Sequence, residues 1–534
     1  MNFKNLHVVQ LSLFMSVINM ILLLLVVAVL PTFEATPCVP LSFGHSSHVC
    51  VCNSTYCDEY TPTPASSESI LGVTSNDAGL RFDERQVEWL QPGQEHNFNA
   101  QADVIELYVD RSKKYQSIIG FGGAFTDAAG INIANLSPEA QLNLIKAYYS
   151  PTGLEYGVGR TNIGGCDFSD RAYTLCDTEG DVDLTTFGLT HDDFDYKIPF
   201  IKQAQFVSEK EIKLFASPWS APAWMKSNNA INGSGYLLPE YYQSWANYFV
   251  KYLDSYKDEG IDFWGLTSQN EPLDGNIPDF SFNCMGWNAT TLADFIGDYL
   301  GPALEGAGYS GIKIITIDDQ RPFIREWSRI IMSNPKAAKY VSGFGVHWYT
   351  DFLGFAEDLD DTHEFFPDKF IMYTEACTGS YPWDLEKVML GSWYRGQLYI
   401  SNIIEDLEHW AVGWTDWNLA LSMTGGPNWA NNFVDAPIIV DAEKDQFYKN
   451  PMYYGLGHFS KFLPENSVRI QLDLGGHSSV SLQVVAFERP DGSIAIVATN
   501  RHLEGPVPVY IRDGDRISEP FNIEPESVQT LVWN

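Results

Sequence analysis

DFWGLTSQNE occupies residues 262–271, and KFIMYTEA occupies 369–376. Each is a short apolar run that ends on polar residues, and each ends on or next to a glutamate. Neither alternates polar and apolar residues, so both read as strands buried on two faces. Six more segments share this form: SIIGFGG (117–123), YGVGRTNI (156–163), IKLFASPW (212–219), IKIITIDD (312–319), GFGVHWY (343–349) and AVGWTDWN (411–418). An amphipathic helix is predicted after each. The first opens at Ser137-Pro138-Glu139, with serine at the cap and proline in the first turn. The others are predicted near 194–208, 239–258, 290–304, 322–332, 354–361, 392–408 and 451–462. Eight strand–helix units predict an α/β fold, a closed (β/α)8 TIM barrel. The alternative is an open doubly wound sheet. It is disfavoured because no strand end carries G-x-G-x-x-G or a phosphate loop.

In such a barrel all strand carboxyl ends open on one face, which carries the chemistry. Asp127, Arg160, Asp167, Trp219, Asn270, Glu271, His347, Tyr349, Glu375 and Trp417 collect there. Glu271 ends strand four and Glu375 ends strand seven, so two carboxyl groups face each other across one mouth. Such a pair hydrolyses glycosidic bonds: one group protonates the leaving oxygen while the other attacks or stabilises the sugar carbon. Asn270 is placed to bond a sugar hydroxyl. Trp219, Trp348 and Trp417 offer flat faces, and Asp167, in preference to Asp127, can accept from sugar hydroxyls.

The flanks read differently. VIELYVD (104–110), SSVSLQVVAFE (478–488), SIAIVATN (493–500) and VPVYIR (507–512) alternate and are separated by turn signals. They predict a β-sandwich built from both ends of the chain. Residues 1–35 read as a secretory signal segment, with an uncleaved membrane anchor as the alternative. Of eight cysteines, Cys38, Cys50, Cys52 and Cys57 cluster just beyond it as a disulfide knot, for which three pairings exist. Cys166, Cys176, Cys284 and Cys377 are dispersed. Sequons at Asn53, Asn232 and Asn288, and a weaker one at Asn135, predict a glycosylated surface. No cluster calls for a metal or organic cofactor.

Lys+Arg total 33 against 68 Asp+Glu, a net charge of −35. That excludes nucleic acid as a partner, because phosphate binding needs a basic face. It is compatible with a mildly acidic compartment, where self-repulsion falls as carboxylates protonate.

PCVPLSFG (37–44), VCVCNSTYCD (49–58), GFGGAFTDAA (120–129), CDFS (166–169), ASPWSAPAWMK (216–226), NEP (270–272), DDQR (318–321), VHWY (346–349), TEAC (374–377), VGWTDWNLAL (412–421), GGPNWANNFVD (425–435) and GHFSKF (457–462) run in order along the chain. Through these stretches the chain resembles the glucosylceramidase-type acid β-glucosidases of glycoside hydrolase family 30. The resemblance implies Glu271 as acid/base and Glu375 as nucleophile of a retaining β-glucosidase. It implies that Asp167, Trp219, Asn270, Trp417 and Asn432 hold glucose, while Arg160, His347 and Tyr349 orient the carboxylates. It also implies disulfides Cys38–Cys50 and Cys52–Cys57. The sandwich would be immunoglobulin-like, and a small three-stranded domain would join the cysteine-rich start to residues near 420–447.

The expected division is 1–35 signal, 36–62 plus 419–447 small disulfide-stapled β domain, 63–112 plus 465–534 sandwich, and 113–418 plus 448–464 barrel. The implied substrate is glucosylceramide at a membrane surface, with a saposin-type activator and anionic lipid as partners and the lysosome as destination. A secreted β-glycosidase for soluble glucosides is the alternative. An acidic optimum, roughly pH 4.5–6, is expected because one glutamate must stay protonated while the other is ionised. Two features depart from the family pattern: Gln269 stands where its animal members carry Glu, and Cys176 is an additional cysteine. The net charge is also more acidic than the family leads one to expect. Apolar loops at Phe280-Ser281-Phe282 and Met285-Gly286-Trp287 are candidates to touch a lipid tail.

Overall fold

The computed structural model describes residues 36–91, 104–475, 481–503 and 505–534. The export segment expected over 1–35 lies outside the described residues. Among those described, no helix is long and apolar enough to cross a membrane.

Eight parallel strands close into a barrel: β1 (Gly120–Phe125), β2 (Val158–Ile163), β3 (Lys213–Pro218), β4 (Gly265–Thr267), β5 (Lys313–Gln320), β6 (Val341–His347), β7 (Phe370–Glu375) and β8 (Ala411–Asn418). Closure is made by β8 against β1, where Gly413 pairs with Gly120 and Trp414 with Phe121. A Cβ on Gly413 would stand 2.1 Å from the Gly120 carbonyl oxygen, so only glycine allows this approach. Val158, Phe215, Ile315, Met372 and Val412, from β2, β3, β5, β7 and β8, form one apolar cluster, so the barrel interior is packed rather than hollow.

The helices differ from expectation in detail. The segment predicted over 194–208 begins with a wide turn, Asp193–Lys197, before the helix Ile198–Val207. The one predicted over 290–304 contains another, Ile296–Leu300. In both, a proline follows two residues on, Pro199 and Pro302, and it has no N–H to return to the regular ladder. Ser137 does precede the helix Pro138–Tyr149, but it makes no side-chain cap. Its hydroxyl donates instead to Asp445 at 2.7 Å. The first barrel strand also starts later than expected, because Ile105–Ser117 is one long strand of a different sheet.

That sheet has ten strands drawn from both ends of the chain. Ser69–Asn76 lies beside Ser527–Trp533, and Ile105–Ser117 lies between Val468–Asp473 and Val507–Asp513. Its strands share one apolar core that includes Ile70, Leu107, Ile496, Ile511 and Trp533. The helix Pro451–Ser460 joins barrel to sheet through His458, whose ring nitrogens lie 2.8 Å from Thr530 Oγ1 and 3.0 Å from Ser75 Oγ. Burial pushes that imidazole down to about 3, so it is neutral.

The small sheet has five strands, where three were expected. Pro40–Leu41, Val49–Asn53, Gln446–Lys449, Ile438–Asp441 and Leu421–Ser422 lie in that order. The Cys38–Cys50 and Cys52–Cys57 disulfides are formed, and Cys166, Cys176, Cys284 and Cys377 are buried free thiols.

Candidate active site

The strand expected to run through 271 leaves the ladder after Thr267. The chain then bonds alternately to both neighbours. Asn270 N–H donates to the Pro218 carbonyl at 3.0 Å, and Glu271 N–H donates to the Asp318 carbonyl at 2.9 Å. Glu271 has φ 41°, a left-handed conformation ahead of Pro272, which turns its side chain over the mouth of the barrel.

Glu375 ends β7. Its Oε1 accepts from the Tyr349 hydroxyl at 2.8 Å, and its Oε2 accepts from Arg160 Nη1. Arg160, fully buried on β2, also donates to Asn270 Oδ1 at 2.8 Å, Asp318 Oδ2 at 3.1 Å and Ser217 Oγ at 3.2 Å. Its guanidinium lies 5.1 and 5.2 Å from the ring centres of Trp219 and Trp417, which stack on each other at 5.1 Å. Because Arg160 takes the Asn270 amide oxygen, the Asn270 NH2 is left to donate to a ligand.

Glu271 Oε1 accepts from Gln320 Nε2 at 2.8 Å and lies 3.0 Å from His347 Nδ1. The other His347 nitrogen is 3.1 Å from Asp318 Oδ1, which also accepts from the Thr374 hydroxyl at 2.6 Å. Asp318 reaches this position through a bulge. Ile317 and Asp318 both have positive φ, 73° and 52°, and the pairing of β5 with β6 shifts register there. A left-handed β-branched residue is a true outlier, held here by the packed strands on either side.

Burial works against charge throughout. His347 nevertheless rises to about 10, because the Glu375 and Asp318 carboxylates and its bond to Glu271 outweigh burial. It is therefore an imidazolium, and both ring nitrogens donate. Burial also opposes charge on Asp318, yet Arg160 and His347 hold it well below the usual carboxylate range. For Glu271, burial is again overcome, chiefly by His347, and the carboxyl is lowered. For Glu375 burial prevails, and the group stays raised despite Arg160 and His347. One carboxylate oxygen of Glu271, one of Glu375 and a His347 nitrogen all lie within 4.8 Å of one another.

Of these residues, Glu271, Gln320, Tyr349 and Glu375 line a cleft of about 550 Å³, a size that suits a small ligand. Asp167 lines it. Its Oδ2 accepts from Asn428 at 3.0 Å and Asn432 at 3.1 Å, and burial pushes the carboxyl up to about 7 against those bonds. Trp219, Trp417 and Asn432 line it too. The outer wall is apolar, with Phe280, Phe282, Phe323, Phe352, Tyr381 and Trp383. Phe352 and Trp383 are 64% and 65% exposed.

Several residues singled out in the sequence lie outside the cleft. Trp348 points away from the cleft: its Nε1 donates to the Cys377 carbonyl at 3.1 Å, and its ring packs on Tyr399 and Trp414. Asp127 is a structural anion, ion-paired with Lys197 at 3.2 Å and bonded by Ser169 and Tyr173. Gln269 does not reach the cleft either. Its amide NH2 donates to the carbonyls of Pro218, Trp219 and Asn270 at 2.8–3.1 Å. Met285 and Trp287 are buried, whereas Phe280 and Phe282 do face the cleft. Of the sequons, Asn288 is exposed and caps the helix Ala289–Phe295 with a capping box, while Asn53 and Asn232 are partly buried.

Comparison with known proteins bears on the whole chain. Residues 118–463 match the glycosyl hydrolase family 30 TIM-barrel domain, and 466–531 match the family 30 beta sandwich domain. The chain belongs to glycosyl hydrolase family 30. Among relatives of this family 30 glycoside hydrolase, the mouse lysosomal acid glucosylceramidase is 45% identical, over 94% of this chain and 96% of that protein. A putative glucosylceramidase 4 of Caenorhabditis elegans is 40% identical, over 91% of this chain and 93% of that protein. The solved structure of SrfJ from Salmonella typhimurium superimposes with TM-score 0.78 at 27% identity, covering 87% of this chain and 99% of that one.

Four side chains of this family 30 site carried no role in the sequence reading: Ser217, Asp318, Gln320 and Asn428. Asp318 and Gln320 lie in the DDQR stretch at the end of β5, and Asn428 lies in GGPNWANNFVD. Their position at strand ends and in a loop over the mouth was the available signal.

Proposed function

We propose that this chain is a retaining β-glucosidase that hydrolyses glucosylceramide to glucose and ceramide. The observation that carries the mechanism is the approach of Glu271 and Glu375 oxygens to within 4.8 Å. Retaining sites keep their carboxyl groups about 5–5.5 Å apart, whereas inverting ones need about 6.5–9.5 Å to admit a water. Glu271 protonates the glycosidic oxygen as Glu375 attacks the anomeric carbon. Glu271 then takes a proton from the water that releases glucose from Glu375. Both Glu375 oxygens are tethered, by Arg160 and Tyr349, which leaves its carboxylate one orientation for attack. Asn270, Asp167, Asn432 and the Trp219–Trp417 pair hold the sugar.

In this structure Glu271 is lowered and Glu375 raised, opposite to these roles. The assignment therefore rests on position and on the Asn270-Glu271-Pro272 pattern. Azide tests it. Glu375→Gly with azide yields the α-glucosyl azide, whereas Glu271→Gly yields the β-anomer. Exchanged anomers would exchange the roles, and release of α-glucose by the native chain would overturn retention.

The lipid assignment draws on relatives named glucosylceramidases and on the apolar outer wall of the cleft. A membrane-bound glycolipid, anionic lipid and a saposin-type activator are the proposed partners, and the lysosome is the proposed site of action. Fluorescent glucosylceramide at about pH 5, with and without anionic phospholipid, checks this beside a soluble β-glucoside. Cleavage of the soluble compound alone would refute the lipid substrate.

A further inference from the structure

Asp274 lies three residues beyond Glu271, at the start of the short turn Asp274–Asn276. Its N–H donates to the Glu271 carbonyl at 3.0 Å, while the Leu273 N–H between them donates to Asp319 Oδ2 at 3.1 Å. The turn brings the Asp274 side chain to the wall of the cleft, where its carboxyl is hydrogen-bonded to that of Glu271.

A hydrogen bond between two carboxyl groups requires a proton in the pair, because an ionised carboxylate only accepts. Glu271 already accepts from Gln320 and from the His347 imidazolium, and Arg160 stands behind it, so charge on Glu271 is well supported. Asp274 has no such support. The groups that act on it most are Glu271 on its own loop, Asp319 at the end of β5 and the Cys284 thiol on the following loop, and among the described residues no cation is ion-paired with it. Burial, followed by Glu271 and Asp319, holds its carboxyl well above the ordinary range. The pair thus rests as a Glu271 carboxylate accepting from a protonated Asp274.

We propose that Asp274 is a positioning residue for the acid/base, storing the proton that Glu271 delivers to the leaving oxygen. The proposal rests on the reading of Glu271 as acid/base. In the first step the pair gives one proton to the glycosidic oxygen. The bond from the anomeric carbon to that oxygen breaks as the bond to Glu375 forms. In the second step water attacks the anomeric carbon, Glu375 leaves, and the water's proton returns to the pair. This reconciles a lowered Glu271 with an acid's role, since the proton is held one carboxyl away.

The pair, rather than Glu271 alone, then sets the alkaline side of the rate profile. Asn at 274 fills the same volume and can still donate to Glu271, but it has no proton to pass on. The test is kcat/KM against pH for the native chain, Asp274→Asn and Asp274→Ala, with aryl β-glucosides of good and poor leaving groups. Both variants should lose activity about one pH unit or more earlier on the alkaline side, more steeply with the poor leaving group. An Asp274→Asn profile that coincides with the native one, or that moves towards alkali, overturns the proposal. Infrared difference spectra give a readout independent of turnover. Buried carboxyls such as Asp167 also contribute at neutral pH, so the protonated-carboxyl intensity should fall in Asp274→Asn without vanishing, and intensity equal to that of the native chain would equally overturn the proposal.

Glu271→Gln, run in parallel, separates the two readings. It should lose kcat/KM on the poor leaving group and retain it on the good one, because kcat/KM reports the step that protonates the leaving oxygen. Equal loss on both would overturn the acid/base reading itself, whatever Asp274 does.

Discussion

Asp318 holds His347 from behind: its Oδ1 lies 3.1 Å from His347 Nε2, so the opposite ring nitrogen is aimed at Glu271. Asp318→Asn keeps the shape and removes the charge that supports the imidazolium. Without it His347 titrates lower, and Glu271 loses a charged donor. The expected result is a fall in kcat of roughly 10²-fold or more, with a lowered melting temperature as well, because Arg160 and His347 lose a buried counter-ion. Steady-state kinetics beside a melting curve check both.

The pH–rate profile should be bell-shaped, and its acid side should report Glu375. A nucleophile must be ionised, and burial raises this carboxyl above its ordinary value of 4.5. Activity is therefore lost as pH falls through a point above 4.5, not below it. His347, at about 10, should not contribute to either side. Replacing Tyr349 by Phe removes a donor to Glu375 and should move the acid side further up, which a kcat/KM titration measures.

Trp219 and Trp348 should separate cleanly. Trp219→Ala removes a wall of the cleft and should raise KM for glucosides. Trp348→Phe leaves the cleft wall intact but strips the bond to the Cys377 carbonyl and part of a buried ring. It should lower stability by about 1–3 kcal/mol with KM close to native.

His458 makes the fold less stable in acid. Its imidazole is neutral in the folded chain, at about 3, but takes a proton near 6.5 when unfolded. The unfolded state thus binds more protons between those values, and stability falls as pH drops, by about 1.4 kcal/mol per unit below 6.5. His458→Gln keeps a hydrogen-bonding side chain that does not titrate. Its melting temperature should fall less than the native one between pH 6.5 and 4.5, although it starts lower. Parallel slopes would refute this.

The barrel was legible in the sequence because strands buried on both faces appear as uninterrupted apolar runs, and Glu271 and Glu375 stand at their ends. Trp348 could have been read correctly. It sits between His347 and Tyr349, and alternate residues at a strand end face opposite ways. Its neighbours turn towards Glu271 and Glu375, so it must turn away from them. Asp318 was not legible in the same manner. Simple alternation along IKIITIDD does not aim it at both Arg160 and His347, and only the bulge at Ile317 does so. Nor could residue spacing foretell the early end of β4, which depends on bonds to Pro218 and Asp318 from strands on either side.

The small sheet places Cys50 opposite Lys449, and the sandwich places Ser69–Asn76 beside Ser527–Trp533. On the ribosome, each early strand emerges close to one neighbour, Pro40–Leu41 or Asp83–Glu88, but long before the partner on its other edge exists. At ordinary synthesis rates the wait for Lys449 is roughly 20–80 s. Throughout that interval Val49–Asn53 has only Pro40–Leu41 beside it, and its other, cysteine-bearing edge has nothing to pair with. The nascent chain thus offers thiol oxidoreductases and chaperones a long window on its first strands, and a late-truncated product would carry that exposed edge permanently.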